Sequence, residues 1–336
     1  MDLNILWFVL IAVLYTGFFV LEGFDFGVGI LLPFVGKNGL EKRMVINTIG
    51  PVWDANEVWL VLAGGATFAA FPQWYATLFS GFYLPLLLVL VALILRGVSF
   101  EFRGKIDSDK WRAAWDTSIF IGSLLPPLLF GVAFANILQG VPIDANMNYT
   151  GGFFNLLNPY ALLGGITFLA VSILLGALFI NLKTSDILSE RAHLLAGKLW
   201  LPVILLLAGF LVFTNIVALG SIRVVVIIFS ILSVLASIIG FLYYRNSKAG
   251  LAFGMTVLAS AGNTAAIFAA LFPNVMISST NPEWSLTIIN AASSTNTLTI
   301  MSIVTAIFLP IVLAYQFWNY WVFRKRITSR VEELHY

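Results

Sequence analysis

Nine long apolar runs dominate the chain, at roughly 5–34, 47–71, 75–99, 116–139, 157–181, 199–219, 222–244, 250–272 and 297–322, each bounded by charges or by Asn, Gly and Pro clusters. A helix crosses the hydrocarbon core of a bilayer with about 20 residues, so every run is long enough to span. With 60% hydrophobic and only 10% charged residues, the chain has too few polar side chains to cover a compact body in water. The runs predict an all-α integral membrane protein with about nine transmembrane helices, one polytopic domain over residues 1–336, divisible into two four-helix bundles plus one peripheral helix. The first run exceeds one crossing and should tilt, bend or extend beyond the membrane. Lacking a basic leader and a small-residue cleavage site, it reads as a retained helix.

Charge placement supports this phasing. With the N-terminus outside, 17 of the 18 Lys and Arg residues, from Lys37 to Arg330, fall on the inner side, and only Arg223 lies outside. That is the positive-inside pattern, with the C-terminus cytoplasmic. The net charge of +2 gives no reason to expect a nucleic-acid partner. Trp74 and Tyr75 at the outer edge, and Trp111, Trp200, Trp318 and Trp321 at the inner edge, are placed to form interfacial belts.

Four carboxylates interrupt the first two runs: Glu22 and Asp25 in LEGFDFGVG, and Asp54 and Glu57 in WDANEVWL. A charged residue at a helix centre costs about 2.5–3.5 kcal/mol on insertion scales, so four unpaired acids would cost roughly 10 kcal/mol. They must be partnered, protonated or hydrated. Each pair is spaced i, i+3 on one helix face, and consecutive helices joined by the basic link at 36–46 are expected to be neighbours. The two acidic faces can therefore meet in a cluster opening toward the cytoplasm, suited to a proton relay or a cation site. In the competing reading the acids pair with Arg96 or hydrogen-bond between helices as buried polar glue. Glu22 and Glu57 are also compatible with the headgroup boundary, whereas Asp25 and Asp54 are deeper in their runs. Gly23 and Gly27 form a small-xxx-small pair that marks close helix packing.

Several centres are excluded. The chain has no Cys, and its only histidines are His193, in a basic inner link, and His335, next to the C-terminus. Disulfides, iron–sulfur clusters and thiolate haem ligation are ruled out, no expected span offers a histidine to haem, copper or zinc, and the lone Met255 and Met301 read as core filling. No glycine-rich phosphate loop follows a strand. No catalytic residue, haem ligand or metal ligand is therefore assigned in this chain.

The motifs GFDFGVGIL at 23–31, WDANEVWLVLAGGATFAAFP at 53–72, SGFYLPL at 80–86, LRGVSFEFRGK at 95–105, FIGSLLPPLLFGVAFANILQGVP at 120–142 and NLLNPYALLGG at 155–165 closely resemble subunit II of cytochrome bd-type quinol oxidases. The likeness is strongest in the first half of the chain and weakens after residue 180. It implies a bacterial or archaeal cytoplasmic-membrane complex with subunit I, in which quinol is oxidised and dioxygen reduced to water. Haem b and haem d are held by subunit I, and protons come from the cytoplasm. By the same resemblance Asp54 and Asp25 are relay residues, with Glu57, Glu22 and Arg96 along that path. Trp53, Asn56 and Trp59 belong to the surrounding motif, and relatives carry Gln as well as Glu at position 57. A structural quinone in this subunit, a small single-span subunit and membrane lipids are further associates that the family implies. The alternatives are a stand-alone proton- or cation-coupled transporter and an inert assembly scaffold.

Overall fold

The computed structural model describes residues 2–218 and 222–328. Residues 219–221, Arg330 and His335 lie outside the described residues. Among the described residues eleven α-helices carry the fold: α1 (Leu3–Val35), α2 (Gly39–Ile49), α3 (Trp53–Ala70), α4 (Pro72–Gly81), α5 (Tyr83–Phe102), α6 (Asp109–Gln139), α7 (Pro159–Lys183), α8 (Asp186–Val217), α9 (Arg223–Arg245), α10 (Ala249–Leu271) and α11 (Thr295–Val322).

Among the described residues, eight helices are long and apolar enough to cross a membrane: α1, α5 to α10 and α11. The remaining expected crossing, α3, has the length but not the composition, because Asp54, Asn56 and Glu57 crowd its first turns. It nevertheless packs along α1. At 33 residues α1 is about 50 Å long, well beyond the hydrocarbon core.

Four expectations need correcting. The link at 36–46 is largely helical: Asn38 caps α2 by accepting from Glu41 N at 2.9 Å. The expected run at 47–71 is broken at Gly50–Val52, where Pro51 has no N–H to continue the α2 ladder. The run at 75–99 is divided at Phe82 into α4, which starts with Pro72 at its first position, and α5. Trp74 and Trp200, read as interfacial anchors, are both 1% exposed. Trp74 packs beside Phe71, and Trp200 lies against Phe241 and Tyr244.

Helix α7 packs along α1, α6 and α8, α5 packs along α6, and α9 packs along α10, so the helices form one continuous bundle and the expected division into two four-helix bundles is not seen. Helix α11 rests on α1 and α3 and buries only Leu298 and Gln316. Lipid tails are as apolar as leucine, so close van der Waals packing must hold such helices together. A Cβ on Gly27 would lie 1.9 Å from the Ser172 carbonyl oxygen and 2.7 Å from Gly176 N, so α1 and α7 touch backbone to backbone. Around Phe18 and Phe19 the rings of Phe130, Phe134 and Phe168 pack edge to face at 4.8–6.0 Å, each pair adding about 0.5–1.5 kcal/mol.

The long links at 140–158 and 272–294 fold against each other. Asn274–Met276 pairs antiparallel with Leu286–Thr287, Val141 bridges Ser278, and Thr77 Oγ1 donates to Met147 O at 2.6 Å. At the opposite ends of the helices, Asp116 accepts from Arg103 Nε at 2.6 Å and Lys42 Nζ at 3.0 Å, and Arg191 binds Glu41 at 2.6 Å. Partial burial pushes the Glu41 carboxyl up, but the Lys37 backbone N–H and Arg191 outweigh it and hold the group below its usual range.

Candidate functional site

Three of the four acids of the first two runs, Glu22, Asp25 and Glu57, converge where α1, α3, α5 and α11 meet. Glu22 and Asp25, one turn apart on α1, are 0% exposed. Arg96 of α5, also 0% exposed, donates from Nη1 to Glu22 Oε1 at 3.1 Å and to Glu57 Oε2 at 3.3 Å. Its guanidinium lies 4.9 Å from the Phe26 ring centroid and 5.5 Å from that of Phe100. Gly122 of α6 makes room for it, since a Cβ there would lie 2.8 Å from Arg96 Cβ. Asp25 has a different partner: Asn56 Nδ2 of α3 donates to its Oδ2 at 2.7 Å.

The motif residues around these acids lock α3 in place. Trp59 lies over Gly17 of α1, where a Cβ would come within 2.3 Å of its ring, and Trp53 stacks obliquely on Phe100 at 5.1 Å, with Gly97 beneath. Gly23 faces the Leu175 side chain, with 3.3 Å available to a Cβ, while Gly27 makes the closer backbone contact with α7.

Asp54 does not join the cluster. It is exposed in the first turn of α3, on the face that continues through Val58, Val61 and Phe68. The spacing that places Asp54 and Glu57 on one side of the helix leaves Glu57 half-buried against Arg96 and Asp54 outside. Glu22, compatible from sequence with a headgroup position, is instead enclosed by protein.

Two further residues belong to the site. Gln316 Nε2 and the Tyr320 hydroxyl of α11 both donate to Asn56 Oδ1, at 3.0 Å and 2.7 Å. The sequence sign was available: Gln316, Asn319 and Tyr320 interrupt an apolar run, and positions 316 and 320 share a helix face. Four buried polar atoms, Glu22 Oε2, Asp25 Oδ1, Arg96 Nε and Arg96 Nη2, have no hydrogen-bond partner among the described residues. The arrangement sets three carboxyl groups around one guanidinium, with two of them, Glu22 and Asp25, enclosed by protein.

Residues 3–323 match the family model of the cytochrome bd terminal oxidase subunit II. The chain belongs to this family. It is 45% identical to cytochrome bd ubiquinol oxidase subunit 2 of Bacillus subtilis, covering 98% of each chain. Identity to the probable cytochrome oxidase subunit 2 of Haemophilus influenzae is 41%, over 95% of this chain and 93% of that one. It is 38% to cytochrome bd-I ubiquinol oxidase subunit 2 of Escherichia coli, over 97% and 96%. A structure of the bd oxidase from Geobacillus thermodenitrificans shares the fold, with a TM-score of 0.78 at 17% identity, over 97% of this chain and 100% of that one. The cytochrome bd subunit II described here is thus a multi-pass membrane subunit of an oxidoreductase, and the stand-alone transporter reading is set aside.

His193, near the start of α8, stacks on Tyr244 with centroids 4.4 Å apart and is the one histidine among the described residues.

Proposed function

We propose that this chain is the haem-free partner of subunit I in a quinol:dioxygen oxidoreductase and that it carries protons from the cytoplasmic side toward the oxygen site. Haem b and haem d of the complex belong to subunit I in this reading, and quinol is the electron donor. The observation that carries it is the buried set Glu22, Asp25, Glu57 and Arg96, with Asp54 exposed on the same α3. Glu22 Oε2 and Asp25 Oδ1 are buried acceptors without partners among the described residues, and such atoms cost about 1–3 kcal/mol each unless a proton or donor satisfies them. They are the positions a transferred proton would occupy.

Asp54 supports the partner assignment. A carboxylate facing hydrocarbon costs about 2.5–3.5 kcal/mol, so protein must cover this face of α3, and subunit I is the partner that the family supplies. Covered in this way, Asp54 lies at the junction between the subunits and hands protons on between Asp25 and subunit I. The excess of Lys and Arg on one side supports an N-terminus outside and a C-terminus in the cytoplasm. A structural quinone has a fitting place in an apolar cavity of about 540 Å³ between α3, α4 and α5, lined among others by Leu60, Gly64, Trp74, Tyr75 and Leu86.

Asp25→Asn and Asp54→Asn test the relay in the purified two-subunit complex. Each should slow quinol oxidase turnover by about tenfold or more, a barrier increase of about 1.4 kcal/mol, with the haem spectrum unchanged. Normal turnover in the double variant would leave this chain only an assembly role.

A further inference from the structure

Asn56 has its oxygen and its nitrogen committed in opposite directions. Gln316 and Tyr320 donate to its Oδ1 at 3.0 Å and 2.7 Å, and its Nδ2 donates to Asp25 Oδ2 at 2.7 Å. Asn56 and Asp25 are 0% exposed and Gln316 is 9% exposed. An amide oxygen has two acceptor sites and its nitrogen only donors. Turned over, the amide would set its oxygen against the Asp25 carboxylate and its nitrogen against the two donors of α11.

The far side of this hub is open. Tyr320 lines a cavity of about 400 Å³ at the ends of α7 and α11, shared with Asn47, Thr48, Lys183 and Lys325. A proton arriving there cannot pass through the amide, which neither gains nor loses one at accessible pH. Asn56 therefore holds Asp25 in place and does not conduct.

We propose that Gln316 and Tyr320 are positioning residues: they lock the Asn56 amide so that Asp25 Oδ2 is held as an acceptor and Oδ1 is the atom left to take the proton. The inference rests on Asp25 being a relay residue. It assigns α11, remote in sequence from both acidic motifs, a direct part in setting the geometry of that relay.

The test is a mutant cycle in the purified two-subunit oxidase, reading the rate of proton uptake with a pH-sensitive dye after an oxygen pulse, in preparations matched for haem. Tyr320→Phe or Gln316→Leu alone leaves one donor on Asn56 and should slow uptake by no more than about twofold. The double variant frees the amide and should slow it by about tenfold. Because both residues act only through Asn56, adding them to Asn56→Ala should produce no further slowing. Further slowing by the product of the separate factors, as independent effects would give, overturns the proposal, and so does unchanged uptake in the double variant. If the double variant loses haem, Tyr320→Phe on the Asn56→Ala background still decides, since additional slowing there has the same meaning. Asp25→Asn separates the two levels: wild-type uptake in that variant removes the relay reading itself, whereas slow uptake with an additive cycle removes only the role of α11.

Discussion

At the scale of single residues, the decisive fact is how one arginine is used. Arg96 is enclosed with Glu22 and reaches Glu57, so its charge is balanced entirely inside the protein. Breaking a buried pair by removing one member costs about 3–5 kcal/mol, because the other charge is left uncompensated. Arg96→Met should therefore lower the unfolding free energy of the complex by about that amount, read by thermal or chemical denaturation. Glu22→Gln added to it should restore part of the loss, since it removes the carboxylate paired most deeply with Arg96 while Glu57 and Asp25 remain. An Arg96→Met complex as stable as wild type would show the pair to be dispensable for the fold. The four acids and Arg96 could all be picked out from sequence, because charge inside an apolar run is conspicuous. Their pairing could not: both acidic pairs have the same spacing, yet α3 turns Glu57 toward Arg96 and Asp54 away from it.

At the scale of elements, α1 and α7 meet backbone to backbone. Gly27 and Gly176 face each other, and a Cβ on Gly176 would lie 2.2 Å from Gly27 C. Both backbones would have to separate, so Gly27→Ala should destabilise by about 1–3 kcal/mol or more. Gly209→Ala on α8, where nothing lies within 4 Å of the added Cβ, should be close to neutral. Denaturation midpoints of the two variants check this, and equal midpoints would remove the special standing of this contact. Sequence periodicity located the apolar elements because bilayer thickness imposes a minimum length on each run. It missed the breaks at Gly50–Val52 and Phe82, since Gly and Pro also occur inside unbroken spans: Pro126 and Pro127 lie within α6, and Pro310 within α11.

At the scale of the whole molecule, two surfaces of similar apolar character must meet different surroundings. Val61 on α3 and Val224 on α9 are both 70% exposed, but only the α3 face carries a carboxylate. In the proposed assembly, a benzophenone photo-crosslinker replacing Val61 should capture subunit I, whereas the same group at Val224 should label only lipid. Capture at Val224 and none at Val61 would place the partner on the other side. The sequence by itself determined the solvent, the helical class and the residues that could carry charge, because each follows from the energetic cost of polar groups in hydrocarbon, paid residue by residue along the chain, and its motifs carried the family resemblance. Only the tertiary structure decided which of those groups are partners. Glu22 with Arg96, Asp25 with Asn56, and Asn56 with two residues some 260 positions away on α11 depend on the rotation and approach of whole helices, and packing across the bundle sets those.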